Sequence, residues 1–204
     1  MKKTCGQIAI TFLLTVGYII EVMIISGILI AFGLHFPVLK VSQQVSFIQL
    51  MLSGLIGAAF ALYLVSKYSI SRLSVFLILA FILFFSNISV AIEGAIFTPD
   101  YVTGSVLVSL FVQQLLISVA FSLTAVVLFR KKLSATSADT VASVDKSLAV
   151  KILVGAAVYM VSYYMWGWLN YNLFTHSFYE SGVSGLHIPE GIVLIKIILF
   201  RGIL

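Results

Sequence analysis

Residues 8–34 read IAITFLLTVGYIIEVMIISGILIAFGL, 27 positions with a single charge, Glu21. A helix rises about 1.5 Å per residue and the bilayer's hydrocarbon core is about 30 Å thick, so roughly 20 apolar residues cross it. The stretch exceeds that length and lacks the period-two alternation of a lipid-facing barrel strand. It reads as a transmembrane helix, and it sets the class: all-α, a polytopic membrane helix bundle.

Working outward, 45–66, 73–92, 103–129 and 152–173 contain no Asp, Glu, Lys or Arg at all. Each has the length of a span. A sixth stretch, 189–204, is shorter, about 24 Å as a helix. Pro189 suits a first helical turn, where a missing N–H is harmless, and Glu190 suits the positive end of the helix dipole. Its brevity leaves three readings open: a locally thin bilayer, a half-helix, or a chain that continues. The expectation is about six transmembrane helices in one integral membrane domain over 1–204, with 130–151 as its linker. The halves on either side of that linker share only the pairs Phe97-Thr98 and Phe174-Thr175, too little to predict an inverted repeat.

Composition agrees. Of 204 residues 9% are charged and 61% hydrophobic, against about 25% charged in soluble domains; mean hydropathy is +1.17. The apolar excess must face lipid, so the bilayer is the first partner. The net charge of +5 comes from short clusters between apolar stretches. It makes no basic, aromatic-interleaved surface for a phosphate backbone, which excludes nucleic acid. The single cysteine, Cys5, allows no intrachain disulfide. The first apolar segment is too long for a cleaved signal peptide and reads as a retained anchor. No cofactor signature is present.

Lys2, Lys3, Lys67, Arg72, Arg130, Lys131, Lys132, Lys146 and Lys151 fall on one side of such a bundle and only Lys40 on the other. The positive-inside rule then predicts a multi-pass cell-membrane protein with its N terminus in the cytoplasm. Glu93, Asp100, Glu180, Glu190, His35, His176 and His187 go to the outer side. The run Tyr159, Tyr163, Tyr164, Trp166, Trp168 and Tyr171 suits an outer aromatic belt.

Glu21 carries most of the functional interest. An ionised carboxylate at mid-bilayer is costly, so it must face the bundle, hold a proton or have a partner. Lys196, about 10 Å below the outer end of a helix begun at Pro189, is the expected partner. The third span ends in a polar row, Ser86, Ser89 and Glu93, with Asn87 beside it. The fourth carries Ser105, Ser109 and Gln113, then Gln114, Ser118 and Ser122. These rows would glue helices together or line an outward cavity. Ser53, Gly57 and Ala61, with Gly54 and Ala58, form small-residue ridges for close packing, within the chain, with a membrane-protein partner or in a homo-oligomer.

In the 170–190 loop, His176 and Glu180, then His187 and Glu190, stand one helical turn apart, a spacing that can share a metal such as zinc. Neither pair matches a catalytic signature, so no metal is expected. Gly182-Val183-Ser184-Gly185 resembles the GxSG of rhomboid intramembrane proteases. Here Pro189 puts the serine in a loop and no span holds a histidine, so a glycine turn is the better reading. In size and helix count the chain is similar to the substrate-binding subunits of energy-coupling-factor vitamin transporters, an architectural likeness that transfers no residue role.

Three functions follow as expectations. The first is a small-solute binding or transport component whose polar cavity uses Glu21, Asn87, Glu93, Gln113 and Lys196. The second is a membrane assembly or regulatory subunit with no substrate. The third is a membrane-embedded, metal-dependent enzyme using the His/Glu loop.

Overall fold

The structure, a computed structural model, describes residues 2–36, 43–68, 71–97, 99–100, 102–130, 133, 146–170, 172 and 191–203. The protein is all-helical: α1 (Lys2–Ala31), α2 (Gln43–Lys67), α3 (Arg72–Phe97), α4 (Gly104–Leu128), α5 (Lys146–Asn170) and α6 (Gly191–Ile203). Gly6–Ala31, Phe47–Lys67, Arg72–Phe97 and Gly104–Leu128 are long and apolar enough to cross a membrane. Large apolar side chains on them face outward, Phe12 with 66% of its surface exposed and Ile56 with 70%. Such surface on spanning helices suits lipid.

Helix ends depart from the ends of the apolar runs because local hydrogen bonds set them. α1 begins at Lys2, ahead of the apolar stretch, since polar residues also fit a helix. It stops at Ala31 because Gly33 adopts φ 82°, a left-handed conformation that costs glycine little. Gly33 N–H then bonds Ile30 O at 2.9 Å and Leu34 N–H bonds Leu29 O at 3.0 Å, the paired closure of a Schellman end. α3 starts where the Ser71 hydroxyl accepts from the Ser74 N–H at 3.1 Å, an N-cap. It runs five residues beyond the expected Ile92, through Glu93, whose carboxylate is paired as described below. At the far end, 189–190 lie outside the described residues, and the last helix is described from Gly191.

The chain divides into two compact units, Met1–Ile88 with Val108–Asp139, and Ser89–Leu107 with Thr140–Leu204. The first is centred on Leu14 of α1, Ala58 and Ala61 of α2, Val75 and Leu79 of α3, and Phe121 and Ala125 of α4. Phe121 is 1% exposed and meets the Tyr18 ring edge-on at 5.8 Å. The small residues of α2 make this approach possible. A Cβ on Gly54 would lie 3.0 Å from Tyr18 Cδ1 and 3.2 Å from the Thr15 carbonyl oxygen; one on Gly57 would lie 3.3 Å from Phe121 Cζ. In the second unit α5 packs against α6. A Cβ on Gly202 would stand 3.1 Å from Ala156 Cα.

Candidate functional site

Glu21 is two-thirds of the way along α1, half-buried and turned toward α4. Thr124 donates its hydroxyl to Glu21 Oε1 at 2.6 Å. The other oxygen, Oε2, is buried and has no hydrogen-bond partner among the described residues. Further along α1, Gln113 Nε2 donates to Ser26 Oγ at 2.7 Å. Ser26 in turn donates to the Val22 carbonyl oxygen. α1 and α4 therefore run antiparallel with two polar cross-links between them. The Tyr18–Phe121 ring contact lies on the same pair of helices. Hydrogen bonds of this kind tie membrane helices together where lipid offers no alternative partner.

The rows on α4 divide by burial. Ser109, Ser118 and Ser122 are buried, and Ser122 donates to the Ser118 carbonyl oxygen at 2.7 Å. The Ser118 hydroxyl and Gln114 Oε1 are buried without a partner among the described residues. Ser105 is exposed and bonds the Thr103 hydroxyl at 3.1 Å. On α3, Ser89 is buried, Asn87 half-buried and Ser86 exposed. On α2, Gly54, Gly57, Ala58 and Ala61 are buried. Ser53 is exposed, because about 100° per residue leaves it roughly a quarter turn off the centre of that face.

The second unit holds a polar cluster that sequence reasoning did not assemble. Glu93, near the end of α3, accepts from the Tyr163 hydroxyl with one carboxylate oxygen and from Arg201 of α6 with the other. The Arg201 and Glu93 side chains are only 19% and 17% exposed. The guanidinium also lies 5.7 Å from the Tyr159 ring centroid and 5.8 Å from that of Tyr163, within cation–π range. Both carboxylate oxygens are thus served and the cation is flanked by two rings. A half-buried ion pair needs this degree of satisfaction.

Of the five expected solute or proton ligands, Glu21, Gln113 and Asn87 belong to the first unit, and the first two share the α1–α4 seam. Glu93 belongs to the second, in its own ion pair. Lys196 is on α6, exposed, and among the described residues of that unit the cation held by a carboxylate is Arg201. Glu21 finds its hydrogen-bond donor, Thr124, within its own unit. Arg201 was missed because it lies near the end of the last helix, where a basic residue reads as an interfacial anchor. Tyr159 and Tyr163 were assigned to the aromatic belt, yet they turn onto Arg201. Among the described residues of that run, Trp168 and Tyr164 are exposed. The helical step from Tyr159 to Tyr163 was the signal available.

His176, Glu180, His187 and Glu190, with Ser184 and Tyr171, lie outside the described residues. Among the described residues no group of three or more His, Cys, Asp or Glu could hold a metal ion. Compared with known proteins, the chain matches no family model, no curated protein and no solved structure.

Proposed function

We propose that this chain is a multi-pass protein of the cell membrane, with about six spans and a cytoplasmic N terminus. It acts as a small-solute binding or transport component, with Glu21 as the group that binds the solute or a proton. The observation behind this reading is the asymmetry of the Glu21 carboxyl: one oxygen is held by Thr124, while the other is buried without a partner among the described residues. An uncompensated oxygen at that depth is expensive. A proton or a solute donor would relieve the cost, and a carboxyl serving only to pack helices has no reason to leave it standing. Orientation rests on the basic-residue asymmetry.

The test compares wild type with Glu21→Gln, both purified from native membranes and matched for melting temperature. Two measurements are made: the small molecules extracted from each, and modification by a hydrophobic carbodiimide, which attacks protonated carboxyls in apolar surroundings. The expected result is a solute enriched in wild type and lost in Glu21→Gln, or carbodiimide labelling at Glu21 itself. Identical extracts together with an unlabelled Glu21 would overturn the reading and favour an assembly subunit without substrate.

A further inference from the structure

Gln114, Ser118, Phe121, Ser122 and Ala125 recur at helical spacing along α4 and form one stripe. Phe121, Ser122 and Ala125 are buried in the first unit, and Ser118 is 1% exposed. At about 100° per residue, Ser118 stands roughly 120° around the helix from Thr124, the residue that holds Glu21. The stripe is therefore a face of its own, turned away from the α1–α4 seam. Across from Phe121 lies α2, where a Cβ on Gly57 would stand 3.3 Å from Phe121 Cζ and 3.9 Å from Leu83 Cδ2 of α3. The side chains that meet there bring no polar group.

Other hydroxyls in this unit fold back on their own helix. Thr11, Thr15, Ser26 and Ser122 each donate to the carbonyl oxygen four residues earlier. For Ser118 the same acceptor would be the Gln114 carbonyl oxygen, and Ser118 does not use it. Its hydroxyl is buried without a partner among the described residues, and so is Gln114 Oε1, one turn away. The two atoms do not bond each other either. A hydroxyl that can donate and an amide oxygen that can accept are costly to bury with neither bond made. Side chains four apart on a helix have Cβ atoms about 5–6 Å apart. Two hydrogen bonds of about 2.8 Å that meet at one oxygen span a similar distance.

We propose that one buried water molecule is part of the first unit, accepting from the Ser118 hydroxyl and donating to Gln114 Oε1. The occupant must accept from one group and donate to the other across the width of a single atom, which water does. Buried waters characteristically join polar side chains that have no other partner. The bridge satisfies both atoms at once and pins the Gln114 side chain inside the unit. The site is independent of Glu21 and stands or falls separately from the function proposed above.

The test joins a crystal structure of the full wild-type chain, at a resolution that shows single waters, to a double-mutant cycle. The crystal structure should show one water within hydrogen-bonding distance of both Ser118 Oγ and Gln114 Oε1. Ser118→Ala and Gln114→Leu alone should each lower the melting temperature in detergent, because each leaves the other atom stranded. The double change should recover most of the loss. Two atoms that are merely unpartnered predict the opposite sign: each single change would then raise the melting temperature, and the gains would add. If Gln114→Leu does not fold, the sign of the Ser118→Ala shift and the wild-type density decide the matter. A dry gap, a direct Ser118–Gln114 hydrogen bond, density for a larger molecule, or stabilisation by Ser118→Ala would each overturn the proposal.

Discussion

Thr124 on α4 donates its hydroxyl to Glu21 on α1 across 2.6 Å, between residues 103 positions apart in the chain. Thr124→Val keeps the shape and removes the donor, leaving a carboxyl with neither oxygen bonded among the described residues. Unmaking a buried hydrogen bond costs about 1–3 kcal/mol. Thr124→Val should therefore lower stability in detergent by that amount, and Glu21→Leu combined with Thr124→Val should regain part of it. An unchanged melting curve for the single variant would mean that the bond contributes nothing.

Arg201 and Glu93 should behave as a pair. Glu93→Gln or Arg201→Met alone strands a half-buried charge, with an expected loss of roughly 3 kcal/mol. The double change should recover much of it. A double-mutant cycle in detergent measures this coupling; strictly additive losses would contradict the contact.

Glycine substitutions should rank by what the new methyl meets. Gly202→Ala drives a Cβ toward Ala156 backbone, and Gly54→Ala drives one toward the Thr15 carbonyl oxygen and Tyr18. Each should cost about 1–3 kcal/mol, the usual range for overpacking. Gly57→Ala meets the end of the Phe121 ring and the tip of the Leu83 side chain, with no backbone atom among them, and should be milder, whereas Gly57→Leu should be severe. Thermal melts of the four proteins check the order, and Gly57→Ala melting below Gly54→Ala would reverse it.

Topology is accessible to reporter fusions. Fusions after Lys67 and within 130–151 should report cytoplasm, and those after Lys40, Asp100 and Glu180 the outside, as the distribution of Lys and Arg demands. A periplasmic or extracellular signal from 130–151 would invert the orientation.

The sequence by itself determined the helical, membrane-type character of this chain. Uncharged runs longer than 20 residues have few other stable forms in lipid, where every backbone amide must be satisfied within its own segment. It also placed helices close to where they stand, and marked Glu21 and the Gly54, Gly57, Ala58 and Ala61 face as special, because a charge or a row of small residues inside an apolar run is conspicuous without any structure. Partners were another matter. That Glu21 faces Thr124, that Gln113 meets Ser26, and that Glu93 holds Arg201 beside Tyr159 and Tyr163 depend on the rotation and register of whole helices. Those are set by packing among side chains far apart in sequence. Hydropathy says that a helix exists; only the tertiary structure decided which way each polar side chain turns and what it meets there.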